Sequence, residues 1–179
     1  MPGTAGIKTA LSLIENDKSK VLGLTLNKQI TVQPGQYVAK ADAQSEPELS
    51  FASLSPEKTY LVVGLDLDAP FPSFGVLGPV LHWIQPDLKA EPAEGGGFVL
   101  KSTAPFVANY IGPAPPGISA PHRYTFFLYE QPEGFDGKKY APPGGKDMGV
   151  GGRMRYDLDA WAKEIKLGPA MAVNYFKSN

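Results

Sequence analysis

Four side chains with acid–base chemistry stand at the ends of apolar segments in this sequence. They are Asp66 and Asp68 in GLDLDAP, His82 in VLHWIQ, and His122 at the head of HRYTFFLYE. Histidine is the side chain whose charge changes nearest neutral pH, and a carboxylate beside it holds one tautomer or raises its basicity. In an extended chain successive side chains alternate, so Asp66 and Asp68 share one face while Leu65 and Leu67 take the other. By the same rule His122, Tyr124 and Phe126 share a face, with Arg123 and Thr125 opposite. Each residue also has a structural explanation: aspartates ahead of a proline cap turns, and a lone histidine in an apolar strand is commonly a hydrogen-bonded core residue. What favours a site is that all four stand beside loops rich in proline and glycine, the kind of segment that carries binding groups on a rigid scaffold.

The most constrained of these loops is GPAPPG, residues 112–117, between Tyr110 and the pair His122–Arg123. Prolines remove N–H donors and fix φ, so the stretch cannot pair as a central strand. It forms a stiff wall whose shape is set before a ligand arrives, which lowers the ordering cost of binding. Gly112 allows a positive φ or a close approach of the backbone to a ligand. A histidine at the exit of such a wall, with carboxylates nearby, describes a pocket for a small anion. The same residues leave open a facial metal triad of two histidines and an aspartate, a neutral polar pocket, or a purely structural role. GGKDMGVGGR lacks the spacing of a phosphate loop. There is no G-x-S-x-G elbow, and no serine stands in a comparably marked context beside either histidine.

The elements that position these residues read as mostly strands. Apolar runs at 21–26, 29–33, 48–53, 59–68, 80–85, 97–103, 123–131 and 170–176 are separated by clusters of Pro, Gly, Ser and Asn, the punctuation of antiparallel strands. Ile7, Leu11 and Ile14 make an apolar stripe at helical spacing over residues 4–15. A second helix starts at Asp157 or Asp159, buries Leu158, Trp161 and Ile165, and ends at Gly168–Pro169. Two helices against about eight strands predict antiparallel sheets packed as a sandwich. The Gly-rich segment 132–152 is expected either to be mobile or to border the site.

Composition narrows the function classes. A hydrophobic fraction of 42% over 179 residues suits a single domain spanning 1–179. With 17 basic and 18 acidic residues and no basic run, the chain carries no electrostatic footprint for nucleic acid and no polybasic membrane anchor. No apolar stretch is long enough to span a bilayer. The absence of cysteine excludes thiol catalysis, disulfides and sulfur-ligated zinc. Residues 1–20 lack the pattern of a signal peptide, and a cytoplasmic address is expected, with secretion open if a signal has been removed.

At this point two long motifs resemble those of the phosphatidylethanolamine-binding proteins, including fungal members. TYLVVGLDLDAPFP, followed by His82 in LHWIQ, is similar to the family's first signature, built around D-P-D-A-P. YIGPAPPGISAPHRYTFFLYEQ is similar to the second, and the resemblance runs from about residue 21 to 176. It implies a mainly β fold, with a large central antiparallel sheet packed on a smaller sheet and a few short flanking helices. It also implies a pocket for phosphate-like anions and phospholipid head groups formed by Asp66, Asp68, Pro70, His82, Gly112, His122 and Tyr124, with a cis Ala69–Pro70 bond. Members regulate kinases, inhibit serine proteases and carboxypeptidases, or act as plant developmental signals. The implied function is a non-catalytic binding or inhibitory protein with no cofactor and no metal, whose partners are a small anion or head group and a protease or kinase. The alternative is a biosynthetic enzyme or accessory of fungal secondary metabolism, for instance in anhydride dimerisation, with His82 and His122 as acid and base. This chain has Leu67 where the signature has its proline, Val80 where an aromatic usually stands, and Ala114 after Pro113. After Phe176 only three residues follow, fewer than one helical turn. No helix of the kind that closes over the pocket in mammalian members is expected, and the mouth should be open or covered by residues 132–152.

Overall fold

Asn27 and Lys28 both adopt positive φ, 48° and 58°, the two-residue turn whose twist matches that of a right-twisted hairpin. Together with Gln29, whose N–H closes the turn on the Leu26 carbonyl at 3.0 Å, they join β1 (Gly23–Leu26) to β2 (Ile30–Thr31). The computed structural model describes residues 2–179. Beyond that hairpin come β3 (Gln36–Tyr37), β4 (Glu48–Ser50), β5 (Thr59–Asp66), β6 (Val80–Pro92), β7 (Phe98–Lys101), β8 (His122–Glu130) and β9 (Ala172–Ser178). Helix α1 (Ala5–Asn16) precedes the strands, and α2 (Val150–Arg153) and α3 (Leu158–Glu164) lie between β8 and β9.

Among the described residues these strands form one sheet in the order β2-β1-β4-β7-β6-β5-β8-β9-β3. Neighbours are antiparallel except β3 and β9. The fold is mainly β, as expected, and its two packed layers are limbs of this one sheet, which curls until its ends meet. Leu22 N–H donates to the Val173 carbonyl at 3.0 Å. The buried amide of Asn174 donates to the carbonyls of Leu22 (2.8 Å) and Val32 (3.1 Å).

The curl encloses an inner core in which Leu24, Leu26 and Leu49 pack with Tyr60, Val62, Trp83, Phe126 and Phe176. The convex face carries an outer core of Leu61, Val63, Leu65, Phe127 and Val173, covered by Ile7 and Ala10 of α1, by Leu158 and Trp161 of α3, and by Ile165 just after it. Strand β5 is buried on both faces, which is why TYLVVGL reads as an unbroken apolar run. Helix α3 supplies the cap of α1 as well as its own. Asp157 accepts from Ala160 N–H at 2.9 Å and starts α3, and Asp159 accepts from the Ala5 and Gly6 N–H groups at the start of α1. No helix among the described residues is long and apolar enough to cross a membrane.

Three departures from the sequence reading have local causes. Strand β6 runs seven residues past Gln85, because a bulge between the pairs Tyr60–Leu88 and Val62–Gln85 takes Pro86 out of the ladder. Asp87 adopts φ 56° there, and Gln131 exchanges two hydrogen bonds with it, at 2.7 and 2.8 Å. Strand β3 has only two residues, too few to make a pattern. The segment 132–152 contributes Phe135, Tyr140 and Met148 to the outer core and leads into α2, whose buried Arg153 donates to the carbonyls of Leu81 (3.1 Å), Asn109 (3.1 Å) and Met148 (3.0 Å).

Candidate functional site

The pairing of β5 with β6 slips by one residue where the chemistry is concentrated. Gly64 pairs with Trp83 but Leu65 pairs with Leu81, so His82 is the extra residue of a bulge. A bulge bends a strand and re-aims a side chain. Here it lets His82 and Trp83, adjacent in sequence, both meet inner-core aromatics. His82 stands edge-on to Tyr124 with centroids 5.1 Å apart, and Trp83 stands edge-on to Tyr110 and Phe126. Gly64 leaves room for this: a Cβ there would lie 3.1 Å from the Phe126 ring and 3.3 Å from Trp83 Cβ.

His82 and the loop beyond Tyr110 hold each other. The ring Nδ1 lies 2.8 Å from the Ile111 carbonyl, and Ile111 N–H donates to the His82 carbonyl at 3.0 Å. A carbonyl only accepts, so the network assigns the hydrogen to Nδ1 and leaves a lone pair on Nε2. No partner to that Nε2 occurs among the described residues. Burial pushes the imidazole below its ordinary pKa, against the opposing pull of the Ile111 carbonyl and Asp66.

His122 is 1% exposed. Its Nδ1 lies 2.8 Å from Asp66 Oδ2, and its Nε2 lies 2.8 Å from Ser119 Oγ and 3.1 Å from the Pro70 carbonyl oxygen. The register that pairs Asp66 with Tyr124 brings β5's last carboxylate beside the first residues of β8. Tyr124 stacks on His122 at 6.4 Å. Its hydroxyl is buried and makes no hydrogen bond of normal geometry among the described residues. Burial, then the charge of Asp66, pushes its pKa up, against a pull downward from the Ala114 N–H, so that N–H and the Asp66 carboxylate both lie near it.

The remaining expected residues stand at the edge of this cluster. Strand β5 ends at Asp66, alternation ends with it, and Asp68 turns to the face of Arg123. Its carboxylate takes Arg123 N–H at 2.8 Å, Nε at 2.9 Å and Nη2 at 2.7 Å, a two-pronged, charge-assisted arrangement. Burial pushes the Asp68 carboxyl up, but the bonds from Arg123 outweigh it and hold the group below the usual carboxylate range. Asp68 N–H in turn donates to Asp66 Oδ1 at 2.8 Å. Gly112 approaches its own chain rather than an open volume. A Cβ there would lie 2.6 Å from Gln44 Oε1 and 2.8 Å from the Ala43 carbonyl oxygen. The Ala69–Pro70 bond is cis, as the resemblance implied.

The structure thus gathers Asp66, Pro70, His82, His122 and Tyr124, ties Asp68 to them through its N–H on Asp66 while its carboxylate engages Arg123, leaves Gly112 beside the Ile111 that bonds His82, and adds Ser119. The expectation that no marked serine accompanies a histidine is corrected here. Ser119 precedes His122 by three residues in a turn closed by its own N–H on the Pro116 carbonyl at 2.8 Å, and the only sequence signal is a polar residue in a proline-rich loop. The cover over His122 is also this loop. Segment 132–152 packs on the outer core instead, while Asn179 donates to the Ser119 carbonyl at 3.2 Å. A cavity of about 630 Å³ lined by Leu49, Trp83, Gln85, Leu88 and Lys101 involves none of the cluster residues.

Comparison with known proteins finds relatives along nearly the whole chain. The family model described as phosphatidylethanolamine-binding protein matches residues 22–176. Phomoidride biosynthesis cluster protein N of Talaromyces stipitatus is 29% identical over 168 residues, covering 87% of this chain and 82% of that one. The carboxypeptidase Y inhibitor of Saccharomyces cerevisiae is 27% identical over 184 residues, covering 88% and 83%. The crystal structure of a carboxypeptidase Y inhibitor complexed with its cognate proteinase superposes with a TM-score of 0.72 at 26% identity, over 97% of this chain and 93% of that one. The phosphatidylethanolamine-binding protein of Plasmodium vivax, at 16% identity and a TM-score of 0.64 over 99% and 98%, shares the fold.

Proposed function

The chain belongs to the phosphatidylethanolamine-binding protein family, and from that premise we propose a non-catalytic binding protein that takes a phosphate-like anion or head group at the His82–His122 cluster and inhibits a proteinase. One observation carries the ligand reading. Among the described residues the buried Tyr124 hydroxyl has no hydrogen-bond partner of normal geometry and His82 Nε2 makes no hydrogen bond, and the two rings meet edge to face with centroids 5.1 Å apart. Nε2 of His82 accepts, the Tyr124 hydroxyl donates or accepts, and Nε2 of His122 adds a donor. A monoprotonated phosphate monoester, with acceptor oxygens and one O–H, complements that set. Both nitrogens of His122 are already engaged, which favours binding over proton transfer.

The inhibitor reading is supported by the similarity to the carboxypeptidase Y inhibitor along nearly the whole chain. Calorimetry with inorganic phosphate and phosphoethanolamine tests the ligand: Kd should fall in the micromolar to millimolar range, roughly −4 to −8 kcal/mol. His82→Ala and His122→Ala should each weaken binding several-fold; unchanged binding in both rejects the site. Added to a serine carboxypeptidase, the protein should lower its turnover stoichiometrically, and full residual activity at excess protein rejects inhibition.

The 29% identity to a biosynthesis cluster protein supports a second reading, an accessory of secondary metabolism at the same site. Loss of one polyketide-derived product on gene deletion, with proteinase activity untouched, selects it.

A further inference from the structure

Ser119, His122 and Asp66 are linked in a row, with 2.8 Å from Oγ to Nε2 and 2.8 Å from Nδ1 to Oδ2. In outline that is a nucleophile, a base and an orienting carboxylate. The surrounding acceptors argue against it. Nδ1 faces the Asp66 carboxylate and Nε2 faces the Pro70 carbonyl, 3.1 Å away; both groups only accept, so together they are satisfied by a ring that carries a hydrogen on each nitrogen. The Ser119 hydroxyl hydrogen goes to the Ala120 carbonyl at 2.9 Å, which leaves the oxygen's lone pairs to receive Nε2–H. Ser119 is therefore an acceptor on the imidazole and not a nucleophile that the imidazole activates.

We propose that Ser119 is a built-in competitor for the anion site: its Oγ holds the acceptor position on His122 Nε2 that an anion oxygen takes on binding, and so sets the affinity of the pocket. The inference rests on the anion reading above and names a residue for it. The burial of Ser119, 5% exposed, contrasts with its neighbour Ile118, 91% exposed. Between Pro116 and Pro121 the loop thus has one inward polar group and one outward apolar group. A Cβ added at Gly117 would meet nothing within 4 Å, so the outer side of the turn is unpacked. Of the bonds that hold Ser119, those from its N–H to the Pro116 carbonyl and from Oγ to the Ala120 carbonyl lie within the loop, and two reach outside it, from Oγ to Nε2 and from Asn179 to its carbonyl. Both can exchange for an anion and water without disturbing the β8 ladder. The occupant is recognised by an acceptor oxygen, which inorganic phosphate and a phospholipid head group share.

The test is phosphate binding to the full chain and to Ser119→Ala, by calorimetry at one ionic strength. Removing the internal acceptor should tighten phosphate binding by about 3- to 10-fold, the span of one neutral hydrogen bond. Phosphoethanolamine and vesicles carrying phosphatidylethanolamine, run in parallel, separate a free anion from a lipid source. In the wild-type chain the nuclear Overhauser contact between Ser119 Hβ and the His122 ring should vanish at saturating phosphate. This second readout decides the matter if the variant does not fold. Equal or weaker binding by Ser119→Ala, or a contact that persists at saturation, overturns the competitor role while leaving the site intact. Phosphate binding by neither protein overturns both the site and the competitor.

Discussion

Tyr124 meets both histidines: its ring and that of His82 form a T-shaped pair, at a centroid distance of 5.1 Å and an interplanar angle of 77°. It is nearly parallel to His122. One aromatic ring therefore sets the spacing of both imidazoles, and the rigid inner core behind it, where it stacks on Phe176 at 5.4 Å, keeps that spacing fixed.

His82 should make stability depend on pH near neutrality. Burial lowers its pKa, and Asp66, Arg153 and His122 are the charged groups that act on it. The folded chain then binds fewer protons than the unfolded chain below about pH 6.5, so stability falls as pH drops through that value toward the folded pKa. For the wild type, urea midpoints should fall from about pH 8 to about pH 5, about one and a half units either side of the free histidine value, and they should change less for His82→Asn. Parallel curves for the two proteins would contradict the assignment.

Asp68 acts in a lower window. Its folded pKa is depressed, so the stability it contributes is present above the unfolded value of about 3.9 and is lost as pH falls through the folded pKa. Asp68→Asn should cost about 1–2 kcal/mol at pH 7, toward the low end because Arg123 is partly exposed. The difference between variant and wild type should shrink in acid. Chemical denaturation at pH 7 and pH 3 measures it, and a cost that grows in acid would refute the sign.

Arg153 should hold the 132–152 segment in place. Its guanidinium reaches three separate carbonyls from inside the protein, along with the side chain of Asn109. Arg153→Met leaves those acceptors short of donors and should cost about 2–3 kcal/mol. Amide exchange over 132–152 should accelerate while β5 and β8 remain protected. Unchanged exchange in that segment would show that the anchor lies elsewhere.

Much of this architecture is written in local pattern. Apolar runs bounded by Pro and Gly mark β1, β4, β5, β7, β8 and β9, and the stripe through Ile7 marks α1, because burial on one or both faces leaves a periodic trace. The bulge at His82 leaves none: moving the extra residue by one position changes no residue type and yet decides which way the imidazole points. Pro86 inside β6 misled for the opposite reason, since a proline ordinarily ends a central strand and only the Asp87–Gln131 exchange shows how this one is accommodated. The separation of Asp68 from Asp66 was equally hidden. It depends on the strand ending at Asp66 and on Arg123 lying across the sheet, a contact between residues 55 apart. Ser119 is legible only once the loop is folded back on His122.

The meeting of the sheet's two ends has a consequence for how the protein behaves in a crowd. A sheet recruits another chain by offering a long row of unpaired backbone groups along its border. Among the described residues the outermost strands are β2 and β3, each of two residues, and the Leu22–Val173 and Asn174 bonds draw the borders together. Little border is left for a foreign strand to extend. Self-templated stacking and recognition by strand addition are both disfavoured, and contact with other molecules falls to side chains carried on loops.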